Sequence, residues 1–202
     1  MISHKLKFIF IHIPKTSGNS LSVFLTDFVN NTVTIRDSPA GKDCNVSIIC
    51  EKRSQKQIKH ANIDYYKRLY GKQINDYFKF TIVRNPYDRI LSYYFYQKCN
   101  LQEKNYETFN RDEFINFVKE NKQILNQYTY IDNSFHIVYF ENLIDDLKNL
   151  DCFKGVIDFN NYPKLNSSYN SKIDFETIYD KELKDLVFNK FKKDFDIFGY
   201  NF

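Results

Sequence analysis

Several motifs that would assign a function most directly are missing from this chain of 202 residues. None of its four cysteines forms a C-x-x-C pair, so neither a zinc site nor a thiol redox motif is indicated. The sequence also lacks a signal peptide and any run near the roughly 20 apolar residues of a membrane span. If the chain is full length, we therefore expect a soluble cytoplasmic protein with free thiols.

A strong excess of one charge is missing as well. The net charge of +4 is too small to indicate a nucleic-acid partner, although it suits an anionic cofactor. The length predicts a single domain over residues 1–202. Because the chain has 16 tyrosines and 20 phenylalanines, large rings must fill much of its core.

The first strong pattern is a strand, a polar loop and a helix within residues 7–29. Residues 8–13 form a short apolar run typical of a buried strand. Pro14 ends this run because proline has no N–H. The loop that follows is Lys15-Thr16-Ser17-Gly18-Asn19-Ser20. Apolar residues at helical spacing then predict a helix over about residues 19–29.

A loop in this place can bind a phosphate or a sulfate. Backbone N–H groups and the positive end of the helix dipole converge on the anion, and the ammonium of Lys15 adds a point charge. The order of residues differs from the P-loop pattern G-x-x-x-x-G-K-[ST], because the lysine precedes the glycine and the leading glycine is missing. Taken alone, the loop is more simply a strand-to-helix turn with an exposed lysine.

A second strand, loop and helix begins at about residue 77. Residues 77–83 are apolar enough for a strand, after which Asn85 suits an N-cap and Pro86 a first helical position. Arg84 therefore lies at the carboxyl end of a strand, where open α/β sheets bind ligands. Its guanidinium, together with the Ser92 hydroxyl, can hold a second phosphate.

The remaining sequence completes an α/β pattern. We predict a third strand over residues 135–140, a helix over 113–121 capped by Asp112, and a last helix over 181–195 capped by Asp180. Three units of strand, loop and helix indicate a three-layer α/β fold in which helices flank a parallel sheet.

Together the two loops resemble those of the carbohydrate (Golgi-type) sulfotransferase superfamily, in a compact, bacterial-like form. The resemblance covers most of the chain and includes residues 11–21, the helix at residues 59–60, and residues 77–94, 140–143 and 195–202. It implies a fold related to P-loop nucleotide kinases. It also implies in-line transfer of a sulfuryl group from 3′-phosphoadenosine 5′-phosphosulfate to a hydroxyl of a carbohydrate or glycolipid acceptor, without a metal.

The resemblance also implies roles for particular residues. Lys15 matches the lysine that stabilises the leaving phosphate, and Arg84 and Ser92 match the pair that holds the 3′-phosphate. The positions that match the loop around the 5′-phosphosulfate are Thr16, Ser17, Gly18, Asn19 and Ser20. Ser168 matches a loop near the bound nucleotide, although that loop is less basic here than is usual for the family.

A general base should remove the proton of the acceptor. His60 is the candidate, because imidazole titrates near neutral pH and His60 lies just before a helix that Asn62 can cap and Gly71 can end. Its place in the sequence resembles that of a catalytic histidine in some branches of the family. His12 is the rival, although its position within a strand indicates a structural or cofactor-shaping role.

Two other functions stay open at this point. One is a kinase-like P-loop enzyme, which the missing G-K-[ST] argues against. The other is a non-catalytic nucleotide-binding protein on the same fold. The sequence indicates neither the acceptor nor the oligomeric state, and a lipid-linked acceptor would bring the enzyme to a membrane surface.

Overall fold

The computed structural model describes residues 1–25, 32–37, 44–49, 60–100, 109–163 and 178–201. The chain divides into two compact units, each with its own core. The sheet unit comprises Met1–Val83 and Thr129–Asn166, and the helical unit comprises Arg84–Tyr128 and Ser167–Phe202. The single domain expected from length stays a prediction. Among the described residues, no helix is long and apolar enough to cross a membrane.

Within the described residues, the sheet unit contains a four-stranded sheet and a separate pair of strands. Its strands are β1 (Ile2–Ser3), β2 (Phe8–Ile11), β3 (Thr32–Asp37), β4 (Cys44–Ile49), β5 (Phe78–Val83) and β6 (His136–Tyr139). The order in the sheet is β1-β2-β5-β6, in which β2, β5 and β6 are parallel and β1 is antiparallel to β2. Strands β3 and β4 form an antiparallel pair of their own.

The described part of the chain also contains six α-helices. The sheet unit contains α1 (Gly18–Phe24), α2 (Ile63–Tyr70) and α5 (Leu143–Asn149), and the helical unit contains α3 (Pro86–Asn100), α4 (Arg111–Glu120) and α6 (Lys181–Phe198). The predicted α/β fold, a mostly parallel sheet flanked by helices, is confirmed. The end predicted for α1 near residue 29 lies outside the described residues.

The core of the sheet unit is aromatic on one face of the sheet. Because alternate residues of a strand point to the same side, the rings of Phe8, Phe10 and Phe80 line one face together. They pack against Leu21 of α1 and Leu147 of α5. All four residues of β2 are fully buried, so this strand is covered on both faces, as parallel strands usually are.

The core of the helical unit is built from the inner faces of α3, α4 and α6. Its buried members are Tyr87, Ile90, Leu91, Tyr94, Phe95, Phe114, Val118, Ile124, Tyr179, Leu183, Val187, Phe191 and Phe195. Tyr87 belongs to this core, where its ring meets those of Tyr179 and Phe195.

Most of the predicted helix caps in the described residues are observed, and one is not. Asn62 and Asp180 cap α2 and α6 through their side-chain oxygens, and Gly199 ends α6 in the left-handed conformation. The cap predicted at Asp112 is wrong. The helix begins at Arg111 because Asn110 accepts the backbone N–H of Glu113, at 3.1 Å. Asp112 instead lies in the first turn, where a carboxylate is favourable to the helix dipole.

Candidate active site

The loop after β2 adopts a strained backbone. Lys15 and Ser17 have φ angles of 67° and 68°, in the left-handed region. This conformation costs about 1–2 kcal/mol for a residue with a side chain. The buried side chain of Thr16 braces the loop, because its hydroxyl donates to the carbonyl oxygen of Ile13 at 2.9 Å. Backbone strain of this kind is typical of ligand-binding loops.

Gly18 is required where the loop enters α1. A Cβ atom at this position would lie 2.1 Å from Cδ2 and 2.4 Å from Nε2 of His12. The His12 ring is itself buried, with 5% of its surface exposed, and stacks on Phe10. The loop can therefore start the helix here only because residue 18 has no side chain.

His60 contacts His12 in two ways. Its Nδ1 lies 2.9 Å from the backbone carbonyl oxygen of His12, and the two rings meet edge to face with their centroids 4.6 Å apart. A carbonyl oxygen can only accept, so Nδ1 of His60 must be the donor. In the neutral ring the lone pair is therefore on Nε2, the atom that can take a proton from an acceptor.

Two further polar groups at the loop are buried. Neither Oδ1 of Asn19 nor the hydroxyl of Tyr162 makes a hydrogen bond within the described part of the chain. Burial raises the pKa of Tyr162 to about 12. The nearby side chain of Ser17 lowers this pKa, although it does not make a hydrogen bond to the Tyr162 hydroxyl. Ser20 is also buried. Sequence reasoning missed Tyr162, and no motif around it could have indicated that it lies beside Ser17.

Arg84 is held firmly within the helical unit. Its Nε donates to Oδ2 of Asp88 at 2.6 Å, and the two side chains are only 11% and 13% exposed. Its backbone N–H and carbonyl both bond to the side chain of Gln127. Sequence reasoning missed both partners. The spacing of four residues between Arg84 and Asp88 on a helix start was a usable signal for the ion pair.

Ser92, the second residue predicted for the 3′-phosphate, has different surroundings from Arg84. Ser92 is buried in the second turn of α3. Arg89 is fully buried and donates from Nη1 to the carbonyl oxygen of Leu125 at 3.0 Å, which gives it a structural role. Ser168 lies outside the described residues. Lys15 belongs to the sheet unit and Arg84 to the helical unit, so their action on one ligand stays a prediction.

We expect Gly18→Ala to destabilise the protein by about 1–3 kcal/mol, because the new methyl group overpacks the His12 ring. Chemical denaturation of the two single variants and of the double variant Gly18→Ala/His12→Ala measures the coupling between the positions. Removing the ring makes room for the methyl group, so the double variant should lose less stability than the sum of the two single variants. Additive losses would contradict the packing described here.

Comparison with known proteins identifies the family of this chain. A search of curated proteins and a search of solved structures each gave no match. A family model, described as the sulfotransferase family, matches residues 1–201 and therefore spans both units of the structure. The chain belongs to the sulfotransferase family and is an enzyme that transfers sulfuryl groups.

Proposed function

We propose that this enzyme takes its sulfuryl group from 3′-phosphoadenosine 5′-phosphosulfate and transfers it to a hydroxyl of a carbohydrate or glycolipid. The hydrogen bond from His60 to the His12 carbonyl is the main support. It holds a candidate general base against the strand end from which the Lys15 loop starts, and it fixes the tautomer that a base needs. The choice of acceptor rests on the resemblance of the two loops to those of carbohydrate sulfotransferases.

The described residues fit such a donor. Close approach of an anion to the loop is favoured by the left-handed backbone at Lys15 and Ser17. In this proposal, the Lys15 ammonium stabilises the charge that grows on the leaving phosphate. Thr16 contributes through its backbone, because its hydroxyl proton is already donated to Ile13.

Arg84 and Ser92 hold the 3′-phosphate in the same proposal. The Nε atom of Arg84 is committed to Asp88, so the guanidinium plane is fixed before a ligand arrives. A planar guanidinium in fixed orientation suits forked hydrogen bonds to a phosphate. The cytoplasmic location expected from the sequence stays a prediction, as does proximity to a membrane through a lipid-linked acceptor.

The donor can be tested by thermal shift with three nucleotides. Adenosine 3′,5′-bisphosphate should raise the melting temperature more than adenosine 5′-phosphate, and more than ATP with magnesium. The reason is that only the bisphosphate carries a group for Arg84 and Ser92 to bind. An equal or larger shift with ATP would favour a kinase-like enzyme instead. Binding of the bisphosphate without transfer to any sugar acceptor would favour a non-catalytic nucleotide-binding protein.

The role of Lys15 can be separated from its effect on folding by comparing two variants. Lys15→Ala removes the ammonium but keeps the strained backbone, whereas Lys15→Gly removes both. We expect both to lose about 10²–10³-fold in the rate of sulfuryl transfer. The relief of strain should leave Lys15→Gly at least as stable as Lys15→Ala in denaturant. Transfer at the original rate by either variant would exclude the proposed role.

The role of His60 can be tested with a variant that keeps its hydrogen bond. In His60→Asn the side-chain amide can replace Nδ1 as a donor to the His12 carbonyl, but position 60 no longer carries a base. We expect a loss of about 10²–10⁴-fold in the transfer rate under single-turnover conditions, with unchanged affinity for the bisphosphate nucleotide.

The matched variant for this test is His12→Asn, which removes the rival base. If His60→Asn transfers as fast as the original enzyme and His12→Asn does not, then His12 is the base. A loss of nucleotide affinity in His60→Asn would instead indicate a role in shaping the loop.

A further inference from the structure

We propose that Gln127 and Asp194 are positioning residues for the 3′-phosphate of the nucleotide, and that they act by fixing the backbone of Arg84. This inference rests on the proposed function, because it requires that Arg84 bind that phosphate. Neither residue belongs to a motif that sequence reasoning connected with the nucleotide. Both lie in the helical unit, as Arg84 does.

Gln127 clamps Arg84 through both ends of its side-chain amide. Its Oε1 accepts the backbone N–H of Arg84 at 2.9 Å, and its Nε2 donates to the backbone carbonyl of Arg84 at 2.9 Å. A neighbouring strand makes the same pair of bonds to a residue inside a sheet. Arg84 comes directly after β5, so Gln127 supplies the bonds of a strand at the point where the strand has ended.

Asp194 in turn fixes the backbone at Gln127. Its carboxylate accepts the N–H of Gln127 at 2.8 Å through Oδ2 and the N–H of Tyr128 at 3.1 Å through Oδ1. Both Gln127 and Asp194 are completely buried. A buried carboxylate is costly unless such donors stabilise it. A continuous set of hydrogen bonds therefore runs from α6, through Gln127, to the backbone of Arg84.

The clamp and the ion pair hold different parts of the same residue. Asp88 fixes the side chain of Arg84 at Nε, while Gln127 fixes its backbone. With both ends held, few torsion angles remain to be ordered when a phosphate binds. Forked binding depends on the orientation of the guanidinium plane, so loss of the backbone clamp should weaken phosphate binding even while the ion pair remains.

The test measures the preference for a 3′-phosphate and not binding alone. Isothermal titration of the whole chain gives the dissociation constants of adenosine 3′,5′-bisphosphate and adenosine 5′-phosphate, and their ratio is the preference. Gln127→Met keeps the size of the side chain but removes both bonds to Arg84. We expect it to lower the preference about tenfold, with little change in affinity for adenosine 5′-phosphate.

Two companion variants separate positioning from stability. Asp194→Asn keeps the volume but loses one of two acceptors, so it should lower the preference by a smaller factor. Val187→Ala removes two methyl groups from the core of the same unit without touching these hydrogen bonds. It should lower the melting temperature and leave the preference unchanged. Should Gln127→Met fail to fold, Asp194→Asn provides the same comparison.

The outcomes distinguish this inference from the proposed function. If the original protein shows no preference for a 3′-phosphate, the proposed role of Arg84 fails and this inference fails with it. If the original protein shows the preference and both Gln127→Met and Asp194→Asn keep it, only the positioning role is overturned. A loss of preference in Val187→Ala equal to that in Gln127→Met would also overturn it, since general destabilisation would then be the cause.

Discussion

The hydrogen bond between Nδ1 of His60 and the carbonyl of His12 determines most of what this site can do. It provides a partner for a backbone carbonyl just beyond the end of β2. It also fixes the tautomer of His60, since the proton must be on the nitrogen that faces the carbonyl. One contact therefore binds the backbone at the end of a strand and orients the side chain that we propose as the base. The ring of His12 contacts His60 and also packs against the backbone of Gly18. It packs so closely there that position 18 has no room for a side chain.

The strained loop depends on the same packing. Left-handed backbone at Lys15 and Ser17 would relax in a free chain, because each residue gains about 1–2 kcal/mol on leaving that region. Three features of the structure oppose this relaxation. They are the hydrogen bond from Thr16 to Ile13, the close packing of Gly18 against His12, and the complete burial of β2. The loop is thus shaped before any ligand binds, which lowers the entropy lost when an anion is ordered there.

Local features of the site could be predicted from the sequence, and contacts between distant segments could not. Apolar periodicity and helix caps gave β2, β5 and the starts of α2, α3 and α6, because those features depend on neighbours within four residues. The choice of Asp112 failed because Asn110 is an equally good cap two residues earlier and the acidic residues also suit a first turn. His60 and His12 are 48 residues apart, and Arg84 and Gln127 are 43 apart. No spacing rule connects such pairs, and only the folded chain places each side chain against its carbonyl.

One physical rule applies to the proposed base in the sheet unit and to the proposed phosphate-binding arginine in the helical unit, each taken by itself. His12 is the first residue after β2 and Arg84 the first after β5, and in both places a side chain from a distant segment takes over the backbone bonds. Buried backbone groups at the end of a strand need partners as much as those inside it. At His12 and at Arg84, polar side chains provide such partners. Such side chains are oriented by their hydrogen bonds to the backbone at the position where a loop or helix follows a strand. A histidine in that role carries a second nitrogen that can act on a substrate, whereas a glutamine uses both ends of its amide on the backbone. The same structural requirement can therefore account for the proposed base in the sheet unit and for the proposed positioning residue in the helical unit.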